Sequence, residues 1–150
     1  MRSSVFVIVC INSFALGVAS VADEATVQVS YTHTWNDAAI ESDAAAALID
    51  AGADVIAQHQ NYPAAAQTAS DAGIWALGYN SPMADLVGEN YVISPIWDWA
   101  VFYREAVKQV YEGTWEADFF WKGLDSGTVG LSDWGPKVPE AVKTQVSQER

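Results

Sequence analysis

The sequence predicts an α/β fold, a lobe built on a parallel sheet, and three observations predict it. Short β-branched or apolar runs alternate with Ala-rich amphipathic stretches in the order strand, helix, strand, helix, strand. Glycines stand just past the helical stretches, at Gly52, Gly73 and Gly113. Polar and aromatic residues gather just after the strands, where an open parallel sheet collects its ligands.

Thr26-Val27-Gln28-Val29-Ser30-Tyr31-Thr32 alternates with period two and is the first predicted strand. After the cluster His33-Thr34-Trp35-Asn36-Asp37, Asp37 stands at a helix N-cap, with Glu41 near enough to support the first turn. Ala38 to Asp50 is then an amphipathic helix with Ile40, Ala44, Leu48 and Ile49 along one side. Asp54 to His59 is a short buried strand. Asn61-Tyr62-Pro63 opens a helix running to about Ala72. Ile74 to Tyr79 is a third strand, stopped by Asn80-Ser81-Pro82. Tyr91 to Ser94 is a fourth and runs into Pro95 and the group Trp97-Asp98-Trp99. Ala100 to Tyr111 is helical, with Val101, Ala106, Val107 and Val110 available for burial. Thr114 to Trp134 is irregular and aromatic apart from a strand at Thr128 to Leu131, and Val138 to Arg150 is a surface helix opening at Pro139.

At 150 residues the chain holds one domain with a real core and is too short for two comfortable ones. A net charge of -12 excludes the Lys/Arg surface that nucleic acid or anionic lipid calls for. One cysteine, Cys10, excludes an intrachain disulfide and a Cys-rich metal site. Seven tryptophans are unusual, and most are expected in the core. No Gly-x-Gly-x-x-Gly, Walker loop or Gly-x-Ser-x-Gly elbow is present. Asp37 and Glu41, on one helix face, suit a solvated surface better than acid–base work.

The amino end reads in two ways. Val5 to Leu16 followed by small residues up to Ala22 imitates a secretory signal, while residues 4–20 also read as a buried helix. The run is too short and too broken by Asn12 and Ser13 to span a membrane. Val-Ile-Val before Cys10 lacks the small residue usual ahead of a lipid-modified cysteine.

Several stretches resemble the basic membrane protein family of ABC-transporter substrate-binding lipoproteins, which have the type I periplasmic-binding-protein fold. Thr34-Trp35-Asn36-Asp37 is similar to the family's "TWxD" turn, and Leu48 through Ala51-Gly52-Ala53-Asp54 to His59 to its "ALIDxGADVIAQH" stretch. Gly78-Tyr79-Asn80-Ser81 resembles "GYxS", Ser94-Pro95-Ile96-Trp97-Asp98-Trp99 resembles "SPxWxWG", and Gly135-Pro136-Lys137-Val138-Pro139 resembles "GPKVP". These stretches come in family order over about residues 11–145. Ile11-Asn12-Ser13-Phe14-Ala15-Leu16-Gly17 is similar to a helix that lies mid-chain in the family.

The resemblance implies an incomplete fold. Residues 1–22 are an internal helix of the lobe or a signal-like segment, and residues 23–150 are the carboxy-terminal ligand-binding lobe. It implies a non-enzymatic receptor that captures a purine nucleoside or nucleobase between two lobes and delivers it to an ABC permease. The location is periplasmic or extracytoplasmic and membrane-associated, with the export signal of this chain left open. The partner lobe is the missing amino-terminal one, no cofactor is needed, and the alternative is a truncated, partner-dependent or non-functional fragment. A lone lobe is expected to expose apolar surface from Trp97 to Trp121.

The candidate ligand-binding residues are Trp35, Asp37, His59, Tyr79, Asn80, Trp97 and Asp98. Trp35 offers a flat face on which a heterocycle stacks, and it also reads as a core or hinge tryptophan. Asp37 and Asp98 accept hydrogen bonds, and Asp37 reads equally as a helix cap. Asn80 offers a donor and an acceptor, and Tyr79-Asn80 also reads as a turn before Pro82. Of Trp97, Asp98 and Trp99, one faces the cleft while the others pack. His33 and His59 lack the spacing and the neighbours of a metal site, so they read as pocket or surface histidines.

Overall fold

The computed structural model describes residues 5–148. In chain order it contains α1 (Val5–Val21), α2 (Ala38–Asp50), β1 (Val55–Ala57), α3 (Ala64–Asp71), β2 (Trp75–Leu77) and α4 (Ala84–Val87). There follow β3 (Pro95–Trp97), α5 (Trp99–Glu112), a 3-10 turn at Leu124–Ser126, β4 (Val129–Leu131) and α6 (Glu140–Gln148).

The core is a small parallel sheet with two helices laid on one face. β1 and β2 pair in parallel, Ile56 opposite Ala76. A third extended segment continues the sheet, bonded from Ala76 N to Asn90 O (3.0 Å), Val92 N to Ala76 O (2.8 Å) and Gly78 N to Ile93 O (3.1 Å). Strand alternation turns Ile56 and Ala76 inward, toward α2 and α3. Ala45, Ala65, Ala66 and Ala69 line that interface, and their small side chains let the helix axes approach the sheet closely. Met83, Val87 and Tyr91 close the core at the α4 end.

Tyr91 is fully buried, so its hydroxyl needs partners. It donates to Ser94 Oγ at 2.7 Å and meets Ser132 Oγ at 2.7 Å, while Ser94 N donates to Ser132 Oγ at 3.0 Å. This network fastens the parallel sheet to a second, antiparallel ribbon in which β3 pairs with β4, Ile96 opposite Gly130. Past β3 the chain leaves the core as α5. The face of α5 carrying Tyr103, Val107, Val110 and Tyr111 is open to solvent, as are Trp115, Phe119 and Trp121 beyond it.

The parallel α/β core matches the predicted fold class, and several details differ. Residues 26–32 are extended but form no ladder among the described residues. The alternating Val27, Val29 and Tyr31 find no apolar layer to pack on and stay exposed. Two bonds hold their carboxyl end instead, Gln60 Nε2 to Thr32 Oγ1 (2.6 Å) and Asn61 N to Trp35 O (3.2 Å). The fourth predicted strand makes one bridge, at Tyr91. Pro95, expected to end it, instead opens β3, because it is followed by residues whose partners lie on β4. No tryptophan is buried, against the expectation of a core role. From Trp99 to Trp121 large apolar side chains are exposed, while Trp97 is partly covered.

The inward side of α2 is also shifted by one residue. Ile40 is exposed and Glu41 is 1 % exposed. Asp37 caps the helix by accepting from Ile40 N (3.2 Å), and Glu41 Oε1 accepts from Asp37 N (3.1 Å), so the cap draws the carboxylate under the surface. The pair predicted as a solvated face is thus half buried. Desolvation, and secondarily the nearby Asp37 charge, push the Glu41 carboxyl above its ordinary value, opposed by the Asp37 N–H.

Two predictions follow from this packing. A methyl group at Gly135 would run into the Tyr91 carbonyl oxygen, which is backbone and cannot give way. Gly135→Ala is expected to cost about 3 kcal/mol or more by urea unfolding, in the range of severe overpacking. Glu41→Gln keeps an acceptor for Asp37 N and removes a charge that folding desolvates. It is expected to stabilise the chain by about 1 kcal/mol at pH 7. Because the folded carboxyl titrates above the unfolded one, the wild-type penalty fades on acidification, so the gain should vanish toward pH 4.

Candidate functional site

The site is built where the chain leaves β1 and β2. After β1 the loop winds around Gln58. Its Nε2 donates to Tyr62 O (2.7 Å) and Gln60 O (3.2 Å), and its Oε1 accepts from Ala66 N (3.0 Å). With Gln58 spent on the loop, His59 and Gln60 are presented at the strand end. After β2, Tyr79 and Asn80 stand beside them. Asn80 has a left-handed backbone (φ 69°) and a parallel bridge to Ile96, which aligns this loop with β3.

Three rings converge on His59. Its imidazole lies 4.2 Å from the Tyr79 ring centroid at an interplanar angle of 32°, 5.8 Å from Trp35, and 5.6 Å from Phe6 of α1. These tilted ring contacts hold the imidazole in place, and its nitrogens bond to no other residue. Both ring nitrogens are buried without a hydrogen-bond partner, and so is Gln60 Oε1. Burial holds the His59 imidazole below its ordinary value, so it is neutral at pH 7. Burial and then the Cys10 thiol push the Tyr79 phenol up, and burial pushes up Cys10 itself. The cluster therefore carries no charge at neutral pH.

Trp35, His59 and Tyr79, singled out from the sequence, come together, with Asn80 next to them. Asp37 lies two residues from Trp35, but its carboxylate is engaged in capping α2. Asp98 is used in the same way, accepting from Ala100 N (2.9 Å) at the start of α5. Trp97 and Trp99 lie one strand over with their rings 6.4 Å apart, and no ring contact joins them to the His59 cluster among the described residues. His33 is exposed, with φ 57°, beside Tyr31.

The sequence reading missed Phe6 and Cys10 and did not carry Gln60 of the strand-end cluster into the candidate set. Phe6 and Cys10 are four residues apart and share a helix face, a signal hidden by the secretory look of the segment. Among the described residues no three His, Cys, Asp or Glu gather to hold a metal. No helix among them is long and apolar enough to cross a membrane. Chemically, the strand ends form an aromatic wall with a few neutral polar atoms, suited to stacking and hydrogen bonding.

A family described as ABC transporter substrate-binding protein, PnrA-like, matches residues 3–150. A glucose-binding protein of an ABC transporter from Haloferax volcanii is 53% identical over 137 residues, covering 91% of this chain and 35% of that protein. A purine-binding protein of Brucella abortus is 38% identical over 133 residues, covering 89% of this chain and 38% of its own length. Among solved structures, a transcriptional activator of the comK gene from Bacillus halodurans superposes with a TM-score of 0.81 at 24% identity. The match covers 92% of this chain and 49% of that one. An ABC-transporter solute-binding protein from Conexibacter woesei gives 0.72 at 20% identity, covering 89% and 45%. These superpositions show the fold, and the chain spans only about a third of the curated relatives and under half of the solved chains. With the family matched over nearly all of its length, the chain belongs to the PnrA-like ABC transporter substrate-binding proteins.

Proposed function

We propose that this chain is the carboxy-terminal lobe of the substrate-binding component of an ABC uptake system, working outside the cytoplasmic membrane. Its solute is an uncharged heterocycle of the purine nucleoside or nucleobase class. The observation that carries the reading is the ring cluster at the strand ends with three buried, unpartnered polar atoms, His59 Nδ1 and Nε2 and Gln60 Oε1. A ligand with a flat face and hydrogen-bonding edges satisfies both the rings and the polar atoms. Trp35 stacks on it, Tyr79, Asn80 and His59 meet its edges, and Asp37, Trp97 and Asp98 lie on the surrounding rim. The chain works as a receptor without catalysis and without a cofactor.

The surface supports a facing lobe. A monomeric protein of 16.2 kDa exposes about 7,500 Å², whereas this chain exposes 10191 Å². The excess is the size of a large protein interface. Exposed large apolar side chains contribute to it on α1, on α5 and from Trp115 to Trp121. The facing lobe and this one close on the solute. The permease then receives it from the closed form.

A second reading has its own observation, because the relative that is 53% identical is named for glucose. Sugars also stack on aromatic rings, and a nucleoside shares the polyol edge through its ribose. Isothermal titration of the purified chain with adenine, guanine, adenosine, inosine and glucose separates the readings. Micromolar binding of nucleosides or bases but not glucose is the expected outcome, and glucose alone would replace the purine reading with the sugar one. In the chain that binds, Trp35→Ala is expected to weaken affinity about 10- to 100-fold, the worth of one stacking contact at roughly 1–3 kcal/mol. Unchanged affinity removes Trp35 from the site. No heat with any solute points to the partner-dependent fragment, and the same titration after adding a relative's amino-terminal lobe tests that.

A further inference from the structure

Burying a polar atom without a partner destabilises a folded chain, and such atoms are rare in native cores. His59 has two of them on one ring. If the ring served only to pack against Phe6, Trp35 and Tyr79, a phenyl group would do so without that penalty. The three ring contacts come from three different segments, α1, the turn before α2 and the loop after β2. They fix the plane of the imidazole, and neither nitrogen has a hydrogen-bond partner beyond a weak interaction with His59's own backbone.

We propose that His59 is the specificity-determining group of the site, offering one N–H donor and one bare nitrogen acceptor from a neutral imidazole to the edge of an uncharged ligand. The proposal rests on the reading of the strand ends as a solute site and names what that site selects. The titratable groups facing the ring are the Tyr79 phenol and, beside it, the Cys10 thiol, both uncharged at neutral pH. Gln60 Oε1 adds a second acceptor next in the chain. A matching ligand therefore brings at least one acceptor and two donors. A purine edge with its N–H and C=O groups, or a ribose diol, has this mixture. A phosphate dianion has acceptors only and would set its lone pairs against those of the bare nitrogen and of Gln60.

Protonation breaks the match, since an imidazolium has two donors and no acceptor. Burial depresses the ring below 6.5, its ordinary value, so the unfolded chain takes up this proton first as the pH falls. The free protein then loses stability on acidification below 6.5, and stability contributed by the neutral ring is fully present above it.

The test compares wild type, His59→Phe and His59→Asn in the purified chain, by thermal unfolding and by titration with inosine and adenosine between pH 5 and 8. His59→Phe is expected to raise Tm by about 2–6 °C, as removal of unpaired buried groups should, and to flatten the acid loss of stability. It is expected to weaken binding at least tenfold. His59→Asn, which keeps a donor and an acceptor, should recover part of the affinity, and wild-type affinity should fall below pH 6.5 while that of the Phe variant does not. A lower Tm for His59→Phe, or affinity equal to wild type, overturns the proposal. If wild type binds neither nucleoside at any pH, the isolated chain does not hold the solute, and the titration is repeated with a relative's amino-terminal lobe added. The Tm comparison tests the premise separately, since a fall for His59→Phe shows that the His59 nitrogens are paired and overturns the proposal.

Discussion

The rest of the structure depends on the buried hydroxyl of Tyr91. The residue sits where the parallel sheet ends, and its side chain is the only large aromatic among the fully buried ones of the described residues. Its contacts with Ser94 and Ser132 join the α/β core to the β3–β4 ribbon, beside the bridge from Asn80 to Ile96. Gly135 then approaches so closely that its N–H donates to Val92 O at 2.9 Å, which only a residue without a side chain permits. The buried phenol and the close approach of Gly135 thus both fasten the ribbon to the core. The ribbon's bridge to Asn80 brings β3, with Trp97 and Asp98 at its end, beside the loop of Tyr79 and Asn80.

Local signals in the sequence located most elements. Asp37 and Asp98 are side-chain caps, Gly113 is a left-handed helix stop, and Gly52 and Gly73 follow their helices with positive φ. Each works through bonds made within a few residues, so each is readable without the fold. The helix spans from 38 to 50 and from 99 to 112 followed from them. The strand-end rule brought Trp35, His59 and Tyr79 into one group for a similar reason, because it needs only the order of elements.

What stayed hidden was what depends on partners. Residues 26–32 have the alternation of a strand, yet a strand exists only beside another, and the outer edge of β1 is left open among the described residues. The burial of Glu41 in place of Ile40 turned on a capping bond to Asp37 N that outweighed the hydrophobic pattern of α2. The tryptophans illustrate the same limit. Their apolar area predicted burial, but Trp99, Trp115 and Trp121 lie on surface that the chain's own core does not reach. Phe6 was lost because an apolar helix with small residues after it looks alike whether it is destined for cleavage or for packing on His59.

Charge completes the argument about what the strand ends accept. A helix N-terminus near a sheet's carboxyl edge is ordinarily a ready anion site. In this chain α2 and α5 each have one N–H capped by a carboxylate, Ile40 N by Asp37 and Ala100 N by Asp98, while α3, which opens just after His59 and Gln60, has no carboxylate cap. The positive ends of α2 and α5 are thereby offset from within, in a protein already carrying -12. The ring cluster adds no compensating cation, since His59 is held neutral by burial. The net charge and the neutral ring cluster both disfavour an anion at these strand ends, and neither opposes a neutral ligand that stacks and hydrogen-bonds. The acidity that argued against nucleic acid thus bears on the proposed solute in the same direction.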